Sequence, residues 1–145
     1  MQFDYHGKAI SLLNNGHNEV KHWTGNDVVN ALCGMSHDKL VYLADTTIGA
    51  HGRDEFPVND FFSWRGSYSE PSINSCGSEA YTSTDLIVRL NEFFDSIQIG
   101  WKGGEFEMHS CSKLWCDAEG EYSGKGVSNV VECEEAIYIV VGRFK

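Results

Sequence analysis

The spacing of apolar and polar residues along the chain predicts two helices. Over residues 24–35, the apolar residues Val28, Val29, Leu32 and Cys33 fall on one side of a helix that Thr24 or Asn26 can cap. Residues 84–97 carry the clearest helical pattern, because apolar side chains recur there every three or four positions. The apolar positions of this second helix are Leu86, Ile87, Leu90, Phe93, Phe94 and Ile97.

Other segments have the composition or the alternation of β-strands. Residues 40–45 form a short apolar run that predicts a buried strand. After a glycine-rich turn at 101–104, polar and apolar residues alternate over 105–109, which is the period of a strand with one buried face. Three further strands are expected at 113–116, 127–133 and 136–144. The last of them is apolar on both faces and is therefore expected at the centre of a sheet.

Residues 46–83 are rich in glycine, serine and asparagine and contain both prolines of the chain. We interpret this segment as a loop that four aromatic residues anchor to the core, with space for a short strand or helical turn. The anchoring residues are Phe61, Phe62, Trp64 and Tyr68. The order helix, strand, loop, helix and three or four strands predicts an α+β fold. The expected architecture is a mainly antiparallel sheet of four or five strands with two or three helices packed on one face.

Composition adds a domain count and a compartment to this picture. A chain of 145 residues, 41% of them hydrophobic, suits one globular domain over residues 1–145. No apolar run approaches the roughly 20 residues of a membrane-spanning helix, and the N-terminus lacks the basic and apolar regions of a signal peptide. Five irregularly spaced cysteines suit a reducing compartment. We therefore expect a cytoplasmic protein without membrane association, whose oligomeric state the sequence leaves open.

The formal charge of −10 disfavours direct binding to nucleic acid, because such binding gains affinity from cations that neutralise phosphates. The acids are concentrated: the segment from Glu105 to Glu135 holds eight acidic and two basic residues. One interpretation is a solvated surface. The other is an acidic face that docks on a basic, nucleic-acid-binding partner protein. The candidate partner-binding residues are Glu119, Glu121, Glu134 and Glu135.

The stretch SWRGSYSEP at 63–71 is a candidate ligand loop in the middle of the acidic chain. The guanidinium of Arg65 offers a planar fork of donors that suits a phosphate or carboxylate, and the turn near Lys102 adds a second cation and backbone amides. The candidate ligand-binding residues are Trp64, Arg65, Ser67, Tyr68, Lys102, Gly103 and Gly104. The alternative is a structural turn whose aromatic side chains pack on the core.

A zinc site is a further alternative. His109, Cys111, Cys116 and Cys133 are residue types that bind zinc tetrahedrally, and a strand that turns back could present the first three together. The spacing of Cys111 and Cys116 lies at the outer limit of the short knuckle that usually begins such a site, and cysteines also pack as small apolar residues. We expect no metal and no cofactor, with zinc left as an open alternative.

The order Arg65, Thr82-Ser83-Thr84 and then Glu105 and Glu107 resembles the Arg–Ser–Glu class of ADP-ribosyltransferases. The resemblance implies that the arginine grips NAD phosphates, that the Ser/Thr motif braces the site, and that the final glutamate stabilises the sugar cation. In that class the Ser/Thr motif lies on a strand, whereas the pattern around residues 82–84 predicts the cap of a helix. Despite this departure, a small transferase is the enzymatic alternative.

Residues 64–71, WRGSYSEP, and residues 101–108, WKGGEFEM, resemble parts of small uncharacterised proteins encoded by bacteriophages. Those proteins share an Arg-Gly-Ser-Tyr turn and a Lys-Gly-Gly-Glu-aromatic strand, and the likeness covers roughly residues 60–110. The resemblance implies a phage origin but no particular activity. A small, acidic phage protein without a catalytic motif is most often an accessory factor that binds something in the host, and such factors commonly block bacterial defence. We favour a non-enzymatic, stoichiometric inhibitor that presents an acidic, nucleic-acid-mimicking face to a host protein. A sponge that sequesters a nucleotide signal around Arg65 is the alternative.

Overall fold

The computed structural model describes residues 21–45, 56–64, 67–74, 79–99, 103–116 and 124–144. Within these ranges the chain forms two helices and nine strands. The helices are α1 (Gly25–Cys33) and α2 (Ser83–Phe94). The strands are β1 (Val41–Asp45), β2 (Phe56–Pro57), β3 (Asp60–Trp64), β4 (Ser67–Asn74), β5 (Ile97–Ile99), β6 (Glu105–Glu107), β7 (Trp115–Cys116), β8 (Lys125–Glu132) and β9 (Ile137–Arg143). None of the helices within these ranges is long and apolar enough to cross a membrane.

Seven of the strands form one mixed sheet in the order β2-β1-β9-β8-β7-β4-β3, and β5 pairs with β6 in a separate two-stranded sheet. The pairs β1–β9 and β4–β7 are parallel, and the other neighbours are antiparallel. The α+β class predicted from the sequence is confirmed. The predicted sheet, mainly antiparallel with four or five strands, is wrong in both strand number and strand direction.

The additional strands come from residues 46–83, which the sequence analysis assigned to a loop. β2, β3 and β4 all lie in this segment. Pro71 sits inside β4, and the register with β3 shifts at Ser63 and Trp64. Because a proline donates no backbone hydrogen bond and is rare within sheets, its presence made the segment resemble a loop.

Both predicted helices are confirmed. Thr24, one of the two expected caps, begins α1, whereas Thr82, and not the expected Ser83 or Thr84, caps α2. At the start of α1, the Thr24 amide donates to the Asp27 carboxylate at 2.9 Å and the Asp27 amide donates to the Thr24 hydroxyl at 3.2 Å. The prediction that the second helix extends to Ile97 is wrong. The chain leaves the helix at Asp95, and the Ser96 hydroxyl donates to the Phe93 carbonyl at 2.6 Å, which satisfies an acceptor in the last turn.

The main core lies between the two helices and one face of the large sheet. Val28, Leu32, Leu86 and Leu90 of the helices are buried against strand residues such as Ile139. A second cluster lies on the opposite face of the sheet and includes Ala44, Cys133, Ala136, Tyr138 and Val140. β9 therefore contributes to both clusters, as the sequence predicted for a central strand.

A buried ion pair ties together the two strands on either side of β9. The Lys125 ammonium of β8 lies 3.0 Å from the Asp45 carboxylate of β1, and Asp45 is only 7% exposed. Two charges withdrawn from water are tolerated when each neutralises the other, so this pair fixes the ends of the flanking strands relative to each other.

The first turn of α1 approaches α2 very closely. A Cβ atom built on Gly25 would lie 2.4 Å from Cζ of the buried Phe94 ring, whereas one built on Gly34, just after α1, would meet only the Ala31 carbonyl at 3.6 Å. Only glycine therefore fits at position 25.

We expect Gly25→Ala to lower the free energy of unfolding by about 1–3 kcal/mol, because the helices must separate to admit the methyl group. Gly34→Ala is the matched control and should change it by less than about 0.5 kcal/mol. Urea denaturation of both variants measures the difference. Equal stabilities would contradict the close approach, since alanine in a helix is otherwise favoured over glycine.

Candidate functional site

The predicted ligand loop lies at the end of the hairpin formed by β3 and β4. Trp64 and Ser67 are paired across the hairpin, and the Ser63 hydroxyl donates to the Tyr68 carbonyl. Arg65 lies outside the described residues, as does Lys102, so the proposed grip on an anion stays a prediction.

The two aromatic residues of this loop lie on opposite faces of the hairpin. The indole of Trp64 stacks on that of Trp115, with 3.7 Å between ring centroids and 5° between planes. Tyr68 instead has its ring 5.2 Å from that of Phe106, which packs against the main core on the helix side. Trp64 and Tyr68 therefore do not line one aromatic wall, and a pocket bounded by both is not formed.

The structure does bring together the two glycine-containing motifs of the sequence, through the contact between Tyr68 and Phe106. Gly103 has a φ of +91°, a left-handed conformation that favours glycine. At Gly104, a Cβ atom would lie 3.0 Å from the Phe106 ring. The geometry of the turn before β6 therefore accounts for both glycines.

An aromatic row extends from Trp64 and Trp115 to His22 and Phe144. The Trp115 Nε1–H donates to the Glu70 carboxylate, whereas the Trp64 Nε1–H is buried without an acceptor within the described part of the chain. His22 meets Trp115 edge-on at 4.5 Å and stacks on Phe144 at 4.2 Å. Sequence reasoning missed this row because its members come from four distant segments.

His22 is held in the neutral form within the aromatic row. Its Nε2 lies 3.0 Å from the Leu114 carbonyl, and Gly126 leaves space for the ring, since a Cβ atom there would lie 2.4 Å from Nε2. Burial lowers the pKa of His22 below its usual value of 6.5. A neutral ring with a hydrogen on Nε2 donates to the carbonyl, so the contact needs no charge.

The predicted acidic face is only partly within the described residues. Glu134 and Glu135 are exposed in the turn between β8 and β9, whereas Glu119 and Glu121 lie outside the described ranges. Eight further described acids are exposed, of which Glu105 and Glu107 belong to the predicted acidic segment. The eight are Asp38, Asp60, Glu79, Asp85, Glu92, Asp95, Glu105 and Glu107.

Most cations of the described ranges are held by partners within the protein. The Lys39 ammonium lies 2.9 Å from the Glu132 carboxylate and donates to the Cys133 carbonyl at 2.7 Å. The Arg89 guanidinium lies over the Tyr81 ring, 4.0 Å from its centroid. Lysines 21 and 125 also have carboxylate partners. Lys21, Arg89, Lys113 and Arg143 are exposed, whereas Lys39 and Lys125 are partly buried.

The exposed acids, unlike most of these cations, lack partners of opposite charge within the described ranges. None of the ten exposed acids just named, including Glu134 and Glu135, forms an ion pair with another described residue. Glu132, by contrast, is partly buried and engaged, because the Ser36 hydroxyl and the Lys39 ammonium donate to it and lower its pKa. The surface of the described residues is therefore dominated by unneutralised carboxylates.

The acids of the β8–β9 turn and those of β6 lie in two separate places rather than on one face. The turn that carries Glu134 and Glu135 lies near the start of α2, because Lys39 contacts both Cys133 and the Ser83 amide. The strand that carries Glu105 and Glu107 lies near the end of α2, where the Met108 amide donates to the Ser96 carbonyl at 3.0 Å. The 12 residues of α2, a length of about 18 Å, separate the two groups.

The four residues of the zinc hypothesis are not gathered in one place. His109 and Cys111 are exposed, Cys116 is buried in the main core, and Cys133 is buried in the cluster on the opposite face of the sheet. Among the described residues, no three histidine, cysteine or acidic side chains are placed to hold a metal ion together. This arrangement gives zinc binding no support.

The residues of the transferase hypothesis have structural partners. Thr82 caps α2, the Ser83 hydroxyl points to the Leu32 carbonyl at 3.5 Å, and the Thr84 hydroxyl donates to the His37 carbonyl at 3.0 Å. They lie at the start of α2, whereas Glu105 and Glu107 follow its end. The described residues therefore do not assemble that constellation.

Comparison with known proteins adds no family to this description. No protein-family model matches the chain, and neither the curated proteins nor the solved structures contain a match.

The stacked indoles generate a prediction about the two ring nitrogens. Trp64→Phe and Trp115→Phe each remove part of the same stack, but only the second leaves the partly buried Glu70 without its donor. We expect Trp115→Phe to cost about 1–3 kcal/mol more stability than Trp64→Phe. Thermal and urea unfolding measure the difference. A larger loss in the Trp64 variant would contradict the assignment of the hydrogen bonds.

His22 generates a prediction about pH. Because the pKa of His22 is lowered in the folded state, the unfolded chain binds a proton first as the pH falls through 6.5. Stability should therefore be constant well above that pH and fall as the pH drops below it, until the folded protein also binds the proton. His22→Gln, which can still donate to the Leu114 carbonyl, should flatten the profile. A wild-type profile without this decline would show that His22 titrates normally.

Proposed function

We propose that the protein acts by binding rather than by catalysis, as a stoichiometric inhibitor that presents acidic side chains to a basic surface of another protein. The observation that supports it most is the contrast between the described cations, most of which contact a carboxylate or an aromatic ring, and the ten exposed acids that form no ion pair with another described residue. Proteins that bind nucleic acid carry clustered lysine and arginine. A surface of carboxylates can occupy such a cluster of lysines and arginines in place of nucleic acid.

The acids of α2 and β6 suit this role better than those of the β8–β9 turn. Asp85 and Glu92 are seven residues apart and so share one side of α2, about 10 Å from each other along its axis. Asp95 ends the helix, and Glu105 and Glu107 follow on β6 near the same end. Repeated negative charges of this kind resemble a phosphate backbone and would accelerate association with a basic partner.

The resemblance to bacteriophage proteins supplies the biological context of the proposal. A phage protein of this size and charge would act inside an infected cell, and its partner would be a host defence protein that binds nucleic acid. Complementary charge gives such an inhibitor rapid association. The resemblance is the support for the phage origin, and the charge distribution is the support for the mode of action.

The nucleotide sponge has less support from the geometry. It requires Arg65 and Lys102, which lie outside the described residues, and an aromatic wall that would include both Trp64 and Tyr68. Those two side chains lie on opposite faces of the β3–β4 hairpin. The transferase alternative has less support for a similar reason, since Thr82 and Glu107 lie at opposite ends of α2.

Affinity capture from host lysate, followed by competition with duplex DNA, tests the proposal. We expect the captured protein to bind nucleic acid, to be displaced by DNA, and to bind at least about tenfold more weakly when salt rises from about 0.05 to about 0.3 M. A variant with Glu92→Lys, Glu105→Lys and Glu107→Lys should lose binding.

Two controls separate the alternatives. Glu134→Lys with Glu135→Lys tests the other acidic group, and Arg65→Ala tests the sponge. Capture of a small nucleotide that depends on Arg65 would replace the inhibitor proposal with the sponge. Consumption of a substrate by catalytic amounts of the protein would refute both.

A further inference from the structure

The sheet formed by β5 and β6 exposes an unusual combination of side chains. Ile97 and Ile99 are 61% and 63% exposed. Their cross-strand partners are Glu107 and Glu105, respectively, which are also exposed. These four side chains form what we call the isoleucine–glutamate face, with an apolar row on one strand and an acidic row on the other.

The opposite face of the same two strands is already used by the fold. Phe106 packs against the main core and contacts Tyr68, and its cross-strand partner Gln98 donates to the Ser96 hydroxyl at 2.7 Å. Side chains alternate between the two faces of a strand, so the isoleucines must point outward. Because the fold does not bury these two side chains, threonine should fit at positions 97 and 99 as well as isoleucine does.

We infer that the isoleucine–glutamate face is a docking site for a basic amphipathic helix of a partner protein. The inference rests on the proposed function and specifies the partner's chemistry. Ile97 and Ile99 are about 6.7 Å apart along the strand, close to the roughly 6 Å between residues i and i+4 of a helix. A helix about 10 Å wide covers both strands, so its apolar stripe meets the isoleucines while flanking lysines or arginines meet the glutamates.

Charge selects this occupant over others. Glu105 and Glu107 would repel nucleic acid and the anionic lipids of a membrane surface. A second copy of the chain, with a formal charge of −10, would also be repelled. The neighbouring carboxylates of Asp95 and Glu92 extend the acidic border beyond β6, which further favours a cationic segment.

Binding of a synthetic peptide tests the inference. The probe is a helix-forming peptide of about 18 residues with leucines on one side and lysines on the other, and its control has the same composition in a shuffled order. Ile97→Thr with Ile99→Thr keeps the β-branched residues that suit a strand. Glu105→Gln with Glu107→Gln removes the charge. Leu40→Thr, at an exposed leucine 40% accessible near the start of α2, is the matched apolar control.

We expect the isoleucine double variant to weaken peptide binding at least about tenfold at every salt concentration. The glutamate double variant should instead reduce the dependence of Kd on salt. Leu40→Thr should leave binding of the helical peptide unchanged, because a lone exposed leucine does not form the site. The shuffled peptide should bind more weakly than the helical peptide, because composition alone does not provide an apolar stripe. NMR shifts of the bound protein should map to residues 96–108, and circular dichroism should show that the variants remain folded.

Three results would overturn the inference: isoleucine variants no weaker than Leu40→Thr, equal binding of the shuffled peptide, or self-association through β5. In the first two cases, salt-dependent binding of lysine-rich peptides would leave the proposed function standing. Absence of salt-dependent binding to any of these basic peptides would count against the proposed function itself.

Discussion

The burial of β9 on both faces is the constraint on which the rest of the fold depends. Ile137, Ile139 and Val141 pack into the main core, while Tyr138 and Val140 pack into the cluster on the other side. A strand this apolar is stable only when both faces are covered. The parallel pairing with β1 and the antiparallel pairing with β8 then place the helices on one side of the sheet and fix where the loops emerge.

The same arrangement places several cations of the chain in ion pairs. The strands that flank β9 are joined by the ion pair of Lys125 and Asp45, and the turn after β8 is joined to the α1–β1 connection by Lys39. Each internal pair uses one of only 11 cations, in a chain with 21 acids. Because each pair also uses one acid, the pairs leave the excess of 21 acids over 11 cations unchanged, and that excess provides the proposed binding surface.

The sequence predicted what depends on local pattern and failed where distant partners decide. The helices and the central position of β9 follow from periodicity, but the parallel pair β1–β9 does not, because alternation reveals a strand's faces and not its neighbours. The β3–β4 hairpin was missed because Pro71 and the serines favour a loop. Ile97 was assigned to the buried side of α2 because its spacing continues the helical pattern, and this error hid the isoleucine–glutamate face.

The exposed isoleucines also bear on how an acidic protein could discriminate among basic partners. Coulombic attraction between carboxylates and lysines is long-ranged, weakly dependent on geometry and screened by salt, so a surface of acids alone would attract many cationic proteins. Ile97 and Ile99 gain contact only with apolar groups placed at matching spacing. In the proposed site the glutamates would therefore govern the rate of encounter, while the isoleucines would govern which encounters persist.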